Sequence, residues 1–143
     1  MTAKEYLQRI RSERLEIQQF EERIEEQRYS LLPSGIRYDV DKVQTSPDDP
    51  MMRVYAEIDK LERKIKEHLE RLTTRYNIAM SNILLLDKSE HRQVLALYYL
   101  GQERLTWAMV AEKMAYSEQH IYELHNDAIA ELERIWNNQS ESE

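Results

Sequence analysis

The chain has 143 residues, a third of them charged, a formal net charge of −7 at pH 7, and only two glycines and three prolines. So few turn-formers exclude a strand-rich fold and point to long helices. The absence of cysteine removes disulfides, thiolate metal sites and cysteine nucleophiles. No apolar run approaches the roughly 20 residues of a membrane span, and Met1-Thr-Ala-Lys-Glu5 lacks the apolar core of a signal peptide. These features predict an all-α, cytoplasmic protein with no membrane partner.

Thr2-Ala-Lys-Glu5 has the spacing of a capping box, in which a hydroxyl and a carboxylate satisfy each other's backbone donors at a helix start. Apolar residues follow at Leu7, Ile10, Ile17, Phe20, Ile24 and Leu31. Four of them (Ile10, Ile17, Ile24, Leu31) are seven apart, the interval that keeps one narrow stripe facing a partner helix. A first helix over about 2–32 ends at Leu32-Pro33-Ser-Gly35. Residues 33–49 show no sustained period and read as a loop, with an extended piece at Tyr38–Val43.

Asp49-Pro50 supplies an N-cap and a proline suited to the first helical position. From there Val54, Ile58, Leu61, Ile65, Leu69, Leu72, Tyr76, Ala79, Ile83 and Leu86 keep a helical period. Two such helices predict an antiparallel hairpin over residues 1–86. The same stripe serves an intramolecular hairpin or the coiled-coil arm of a homodimer.

After residue 86 the pattern shortens. Asp87-Lys-Ser-Glu90 looks like a cap, Val94, Leu97 and Tyr98 mark a supporting helix, and Gly101 stands where a left-handed residue would end it. Thr106 caps a helix over Trp107–Met114, and Ser117 caps a last helix reaching about Trp136. Residues 137–143 are polar and read as a flexible tail. Two short helices joined by a three-residue turn form a helix-turn-helix when their inward residues match. Here Val110, Ala111 and Met114 face Ile121 and Leu124, with Tyr116 placed to plug the seam, so residues 87–136 form a second domain.

Leu86 to Ser117, through Val94-Leu-Ala-Leu-Tyr-Tyr-Leu-Gly101 and Thr106-Trp-Ala-Met-Val-Ala-Glu-Lys-Met-Ala-Tyr-Ser117, resembles sigma-factor region 4. The opening Thr-Ala-Lys-Glu-Tyr-Leu and the stretch Tyr38-Asp-Val-Asp-Lys-Val-Gln-Thr-Ser-Pro extend the likeness over nearly the whole chain. The chain as a whole resembles small bacteriophage late transcriptional regulators of the RinA/ArpU type and related phage proteins. That resemblance implies a homodimeric regulator in the bacterial host that binds double-stranded DNA, with host RNA polymerase or another protein as a further partner. The groove-facing residues it implies are Ser117, Gln119, His120, Tyr122, Glu123 and Asn126, with Lys113 and Arg104 as nearby cations. Gln119 and Asn126 have the chemistry to read adenine, Glu123 to accept from a cytosine amine, and Ser117 to meet a phosphate.

The sequence departs from that pattern in two ways. No Lys or Arg stands between Lys113 and Arg134, and residues 81–143 sum to about −6, against about +2 for residues 51–80. Ala115 also occupies the turn position where glycine is usual, at a cost of about 1 kcal/mol if left-handed. The acidity favours an alternative in which the helix-turn-helix is a protein-interaction or nucleic-acid-mimicking module. A third reading is a component of phage DNA packaging, like a small terminase subunit.

Other chemistry finds little support. His120 and His125 are five apart rather than four, which places them on different helical faces and predicts no metal site; His91 is remote in sequence. Glu123, Asp127 and Glu131 read as a solvated ladder of carboxylates. No phosphate-binding glycine loop or nucleophile motif is present, so neither an enzyme nor a cofactor is expected.

Overall fold

A computed structural model describes residues 1–31 and 49–141. The expected loop and its extended piece at Tyr38–Val43 lie outside the described residues. The protein is all-α: α1 spans Ala3–Ser30, α2 Pro50–Ile83, α3 Ser89–Leu95, α4 Trp107–Met114 and α5 Glu118–Glu141. Among the described residues no helix is long and apolar enough to cross a membrane.

The helix starts follow local chemistry. Thr2 Oγ1 accepts from Glu5 N–H while Thr2 N–H donates to the Glu5 carboxylate, each at 3.1 Å, completing the capping box. Asp49 Oδ1 accepts from Met51 N–H at 2.9 Å, with Pro50 opening α2. The cap read at Asp87-Lys-Ser-Glu90 differs: the N-cap of α3 is Lys88, and it makes no side-chain cap.

Contacts divide the chain into two compact units, at places other than residues 86 and 136: Glu16–Glu70 forms one, and Met1–Leu15 joins Arg71–Glu143 in the other. In the first, the end of α1 and the start of α2 run antiparallel. Ile24, Ile58 and Leu61 form the buried seam, flanked by Phe20, Leu31, Val54 and Ile65. Arg23–Glu57, Arg28–Glu62 and Glu16–His68 line its edges at 3.8, 3.0 and 3.9 Å. Ile17 and Ile24 are buried, so the seven-residue stripe is covered within the chain.

In the second unit, Leu7, Ile10, Ile83, Leu86, Val94, Leu95, Val110, Ile121 and Leu132 are fully buried. Glu13, also buried, is ion-paired with Arg71 and Arg75. After Leu95 the supporting helix continues as a π-helical turn, Ala96–Leu100. Such a turn inserts a residue and rotates everything after it. Its inward residues are therefore Tyr99 and Leu100, at 2% and 4% exposure, rather than the expected Leu97 and Tyr98, which are half-buried. Gly101 is not left-handed: its φ is −68° and ψ 152°. Its need is for space, because a Cβ there would stand 3.1 Å from the Leu97 carbonyl oxygen. The polar segment read as a tail continues α5 as far as Glu141.

Candidate nucleic-acid interface

The site begins with the turn between α4 and α5. Thr106 Oγ1 accepts from Met109 N–H at 3.2 Å and starts α4. At its other end Ala115 adopts φ 60° and ψ 41°, the one non-glycine residue with positive φ among the described residues. Tyr116 N–H donates to Ala111 O at 3.0 Å and Ala115 N–H to Glu112 O at 3.2 Å. That pair of bonds is the Schellman arrangement, which satisfies the last carbonyls of a helix and turns the chain sharply. Ser117 Oγ then accepts from His120 N–H at 3.1 Å and opens α5. Three residues thus separate the helices, and Val110 and Ala111 of α4 are buried with Ile121 and Leu124 of α5. The structure contains the helix-turn-helix that the spacing predicts, with alanine held in the left-handed position.

An aromatic pillar supports this turn. The Tyr98 and Trp107 rings stack with centroids 3.7 Å apart and planes 9° apart. Arg11 caps the stack, its guanidinium carbon 3.9 Å from the Tyr98 centroid. The same guanidinium donates to Tyr98 O at 2.7 Å and Leu105 O at 2.9 Å, fixing both ends of the loop that leads into α4. Beyond Trp107 lie His125, centroids 4.7 Å apart, and Tyr122, edge-on at 5.6 Å. His125 is 6% exposed and shares a 2.7 Å hydrogen bond with Tyr99 Oη. Burial, reinforced by Lys4, holds its imidazole down at about 4, so it is neutral at pH 7.

These supports leave Gln119, Tyr122, Glu123 and Asn126 exposed on α5, at i, i+3, i+4 and i+7, one helical stripe. Tyr122 is 45% exposed despite its contact with Trp107. His120 is half-buried, with its ring against Tyr116 at 4.5 Å. Ser117 is exposed but its oxygen already serves the cap. Lys113, in the last turn of α4, and Arg104, in the preceding loop, are exposed cations off α5.

Farther along, α5 is occupied by the chain's own start. Glu133 Oε1 accepts from Lys4 N–H at 2.9 Å, Trp136 Nε1 donates to Met1 O at 3.1 Å, and Tyr6 packs on Trp136 with centroids 4.9 Å apart. The first half of α5, residues 118–127, is clear of these contacts. There Glu118, Glu123 and Asp127 are exposed, with Glu112 exposed on α4.

Two expected roles change. Tyr116 does not plug the seam: it lies outside, donating to Glu90 Oε1 at 2.9 Å. Glu131 does not continue the solvated ladder either. Its carboxylate takes His91 Nδ1 at 2.9 Å and Asp87 N–H at 3.3 Å, and these bonds, the histidine's first, hold it below the usual carboxylate range. Among the described residues no group of three or more potential metal ligands stands together.

Sequence reasoning missed Arg11, the Tyr99–His125 bond and the docking of residues 1–6 on α5. All join segments more than twenty residues apart, for which helical periodicity carries no signal. No protein-family model, curated protein or solved structure matches the chain.

Proposed function

We propose that this chain is a DNA-binding transcriptional regulator of bacteriophage type, acting in the cytoplasm of a bacterial host and reading double-stranded DNA through the first half of α5. One observation carries the reading. The α4–α5 turn sets a recognition-type helix whose exposed stripe is Gln119, Tyr122, Glu123 and Asn126. A helix so presented enters the major groove with its N-terminal residues at the base edges. Gln119 and Asn126 pair bidentately with adenine, and Glu123 accepts from a cytosine amine. Tyr122 offers an apolar face to a thymine methyl, and Lys113, Arg104 and the α5 N-terminus meet phosphates.

Selection of bound duplexes from a random library by the full chain at low salt tests this. An enriched motif is expected, and Gln119→Ala with Asn126→Ala should cost about 1–3 kcal/mol at particular base pairs. A sequence preference unchanged in that variant removes α5 as the reader.

A second reading rests on charge. Glu118, Glu123 and Asp127 are exposed on the helix that would face phosphates, and no Lys or Arg lies between Lys113 and Arg134. That surface suits a basic protein segment. A salt-sensitive complex with a basic partner, lost in Glu118→Lys/Glu123→Lys, would favour it.

A further inference from the structure

We infer that Arg11, on α1, is a positioning residue for base recognition: through the stacked rings of Tyr98 and Trp107 it sets the place of Tyr122 on α5. The inference rests on the DNA reading above and deepens it. It assigns the specificity of one base position to a side chain on another helix, whose own donors are spent on the protein backbone.

The path consists of direct contacts inside one compact unit. The Arg11 guanidinium donates to Tyr98 O at 2.7 Å and to Leu105 O at 2.9 Å, and its carbon lies 3.9 Å from the Tyr98 ring centroid. One planar group thus holds the backbone on both sides of residues 101–104, together with the ring at their start. Leu105 is buried, and Trp107 follows two residues later as the first residue of α4. Trp107 is therefore fixed twice: by the backbone that leads into it, and by its stack on Tyr98, with centroids 3.7 Å and planes 9° apart. The Trp107 and Tyr122 rings then meet at 5.6 Å and 66°.

Tyr122 needs such a wall. It is 45% exposed, and among the described residues no hydrogen bond holds its hydroxyl. An exposed aromatic side chain without a packed neighbour samples several rotamers, and a base contact requires one. Rings at stacking distance pass a displacement on, because there is no slack between them to absorb it. A lysine at position 11 would keep the charge, but one ammonium cannot span two carbonyls while lying flat on a ring. Gln119, one turn earlier on α5, stands outside this set of contacts and serves as the internal control.

Duplex selection from a random library at low salt, run on the full-length wild type, Tyr122→Ala, Gln119→Ala and Arg11→Lys, tests this. The two alanine variants mark the base pairs that Tyr122 and Gln119 read. Arg11→Lys, with helical circular dichroism retained, is expected to lose preference at the Tyr122 pair, from the roughly tenfold typical of a read position to near parity. Its preference at the Gln119 pair should stay. A loss spread equally over all positions marks general destabilisation and overturns the positioning role. So does wild-type preference at the Tyr122 pair in Arg11→Lys, or a Tyr122→Ala variant that selects the wild-type motif. Trp107→Phe leaves the Arg11 bonds in place and shortens the wall, so it gives the readout if Arg11→Lys does not fold. The same one-position loss is expected from it, and an unchanged motif counts against the inference. A wild type that enriches no motif removes the DNA reading and this inference with it, whereas a motif indifferent to Arg11 removes the inference alone.

Discussion

The segment of residues 16–70 and the unit built from residues 1–15 and 71–143 are both helical, yet different chemistry holds them. The first closes a narrow apolar seam of Ile24, Ile58 and Leu61, with Arg23, Arg28, Glu57 and Glu62 paired at its wet edges. The second surrounds its core with directional contacts: Arg11 on two carbonyls, His125 on Tyr99, His91 on Glu131. A seam tolerates changes at its rim because exposed ion pairs gain little over water. A directional contact that is half-buried leaves unsatisfied groups behind when one partner goes. Mutational sensitivity should therefore concentrate in the unit that carries the candidate reading helix.

Acid should expose the largest difference. The folded state holds His125 at about 4 against 6.5 when unfolded. Its neutral form favours folding fully above pH 6.5, and that contribution is lost as pH falls toward 4. The loss is about 3 kcal/mol at ~1.4 kcal/mol per pH unit. Glu131, held below its ordinary value, weakens in the same direction once the pH drops below the usual carboxylate range. Hydrogen exchange at pH 4.5 should show residues 91–132 opening before residues 54–65; the reverse order would place the acid-sensitive contacts in the seam of residues 16–70 instead.

Arg11→Ala comes next, at about 2 kcal/mol, from two charge-assisted bonds and a ring contact. Arg11→Lys should recover little, because one ammonium does not span Tyr98 O and Leu105 O as the planar fork does. Chemical denaturation monitored at Trp107 measures both. Ala115→Gly should stabilise by up to about 1 kcal/mol by relieving a left-handed alanine, visible as a higher melting temperature. Arg28→Ala, which breaks an exposed pair with Glu62, should change stability by no more than about 0.5 kcal/mol. A larger loss there would show that the edge pairs, not the seam, hold residues 16–70.

Much of the helix-turn-helix was legible because each part has a local signature. Thr106 and Ser117 announce caps, and Ala115 falls three residues before α5, where the turn demands a left-handed residue. Val110, Ala111, Ile121 and Leu124 keep the inward phase. The π-helical turn was not legible, since Leu97 and Tyr98 fit the ordinary period better than Tyr99 and Leu100 do. Nor was the attachment of residues 1–15 to the rest of their unit: Arg11, Lys4 and Trp136 look like surface or core residues of their own helices until the partners are seen. The exposed stripe Gln119, Tyr122, Glu123 and Asn126 follows from phase alone, whereas the docking of the chain's start at Glu133 and Trp136 comes from contacts that only the fold shows.

The most direct test of the account is the salt dependence of binding to a random duplex by the wild type and by Glu118→Lys/Glu123→Lys. If the first half of α5 lies in the major groove, the charge-reversed protein should bind more tightly, and its salt slope should steepen by about 0.9 for each new phosphate contact. An affinity and slope equal to the wild type's, in a variant that remains folded, would contradict a DNA-facing α5.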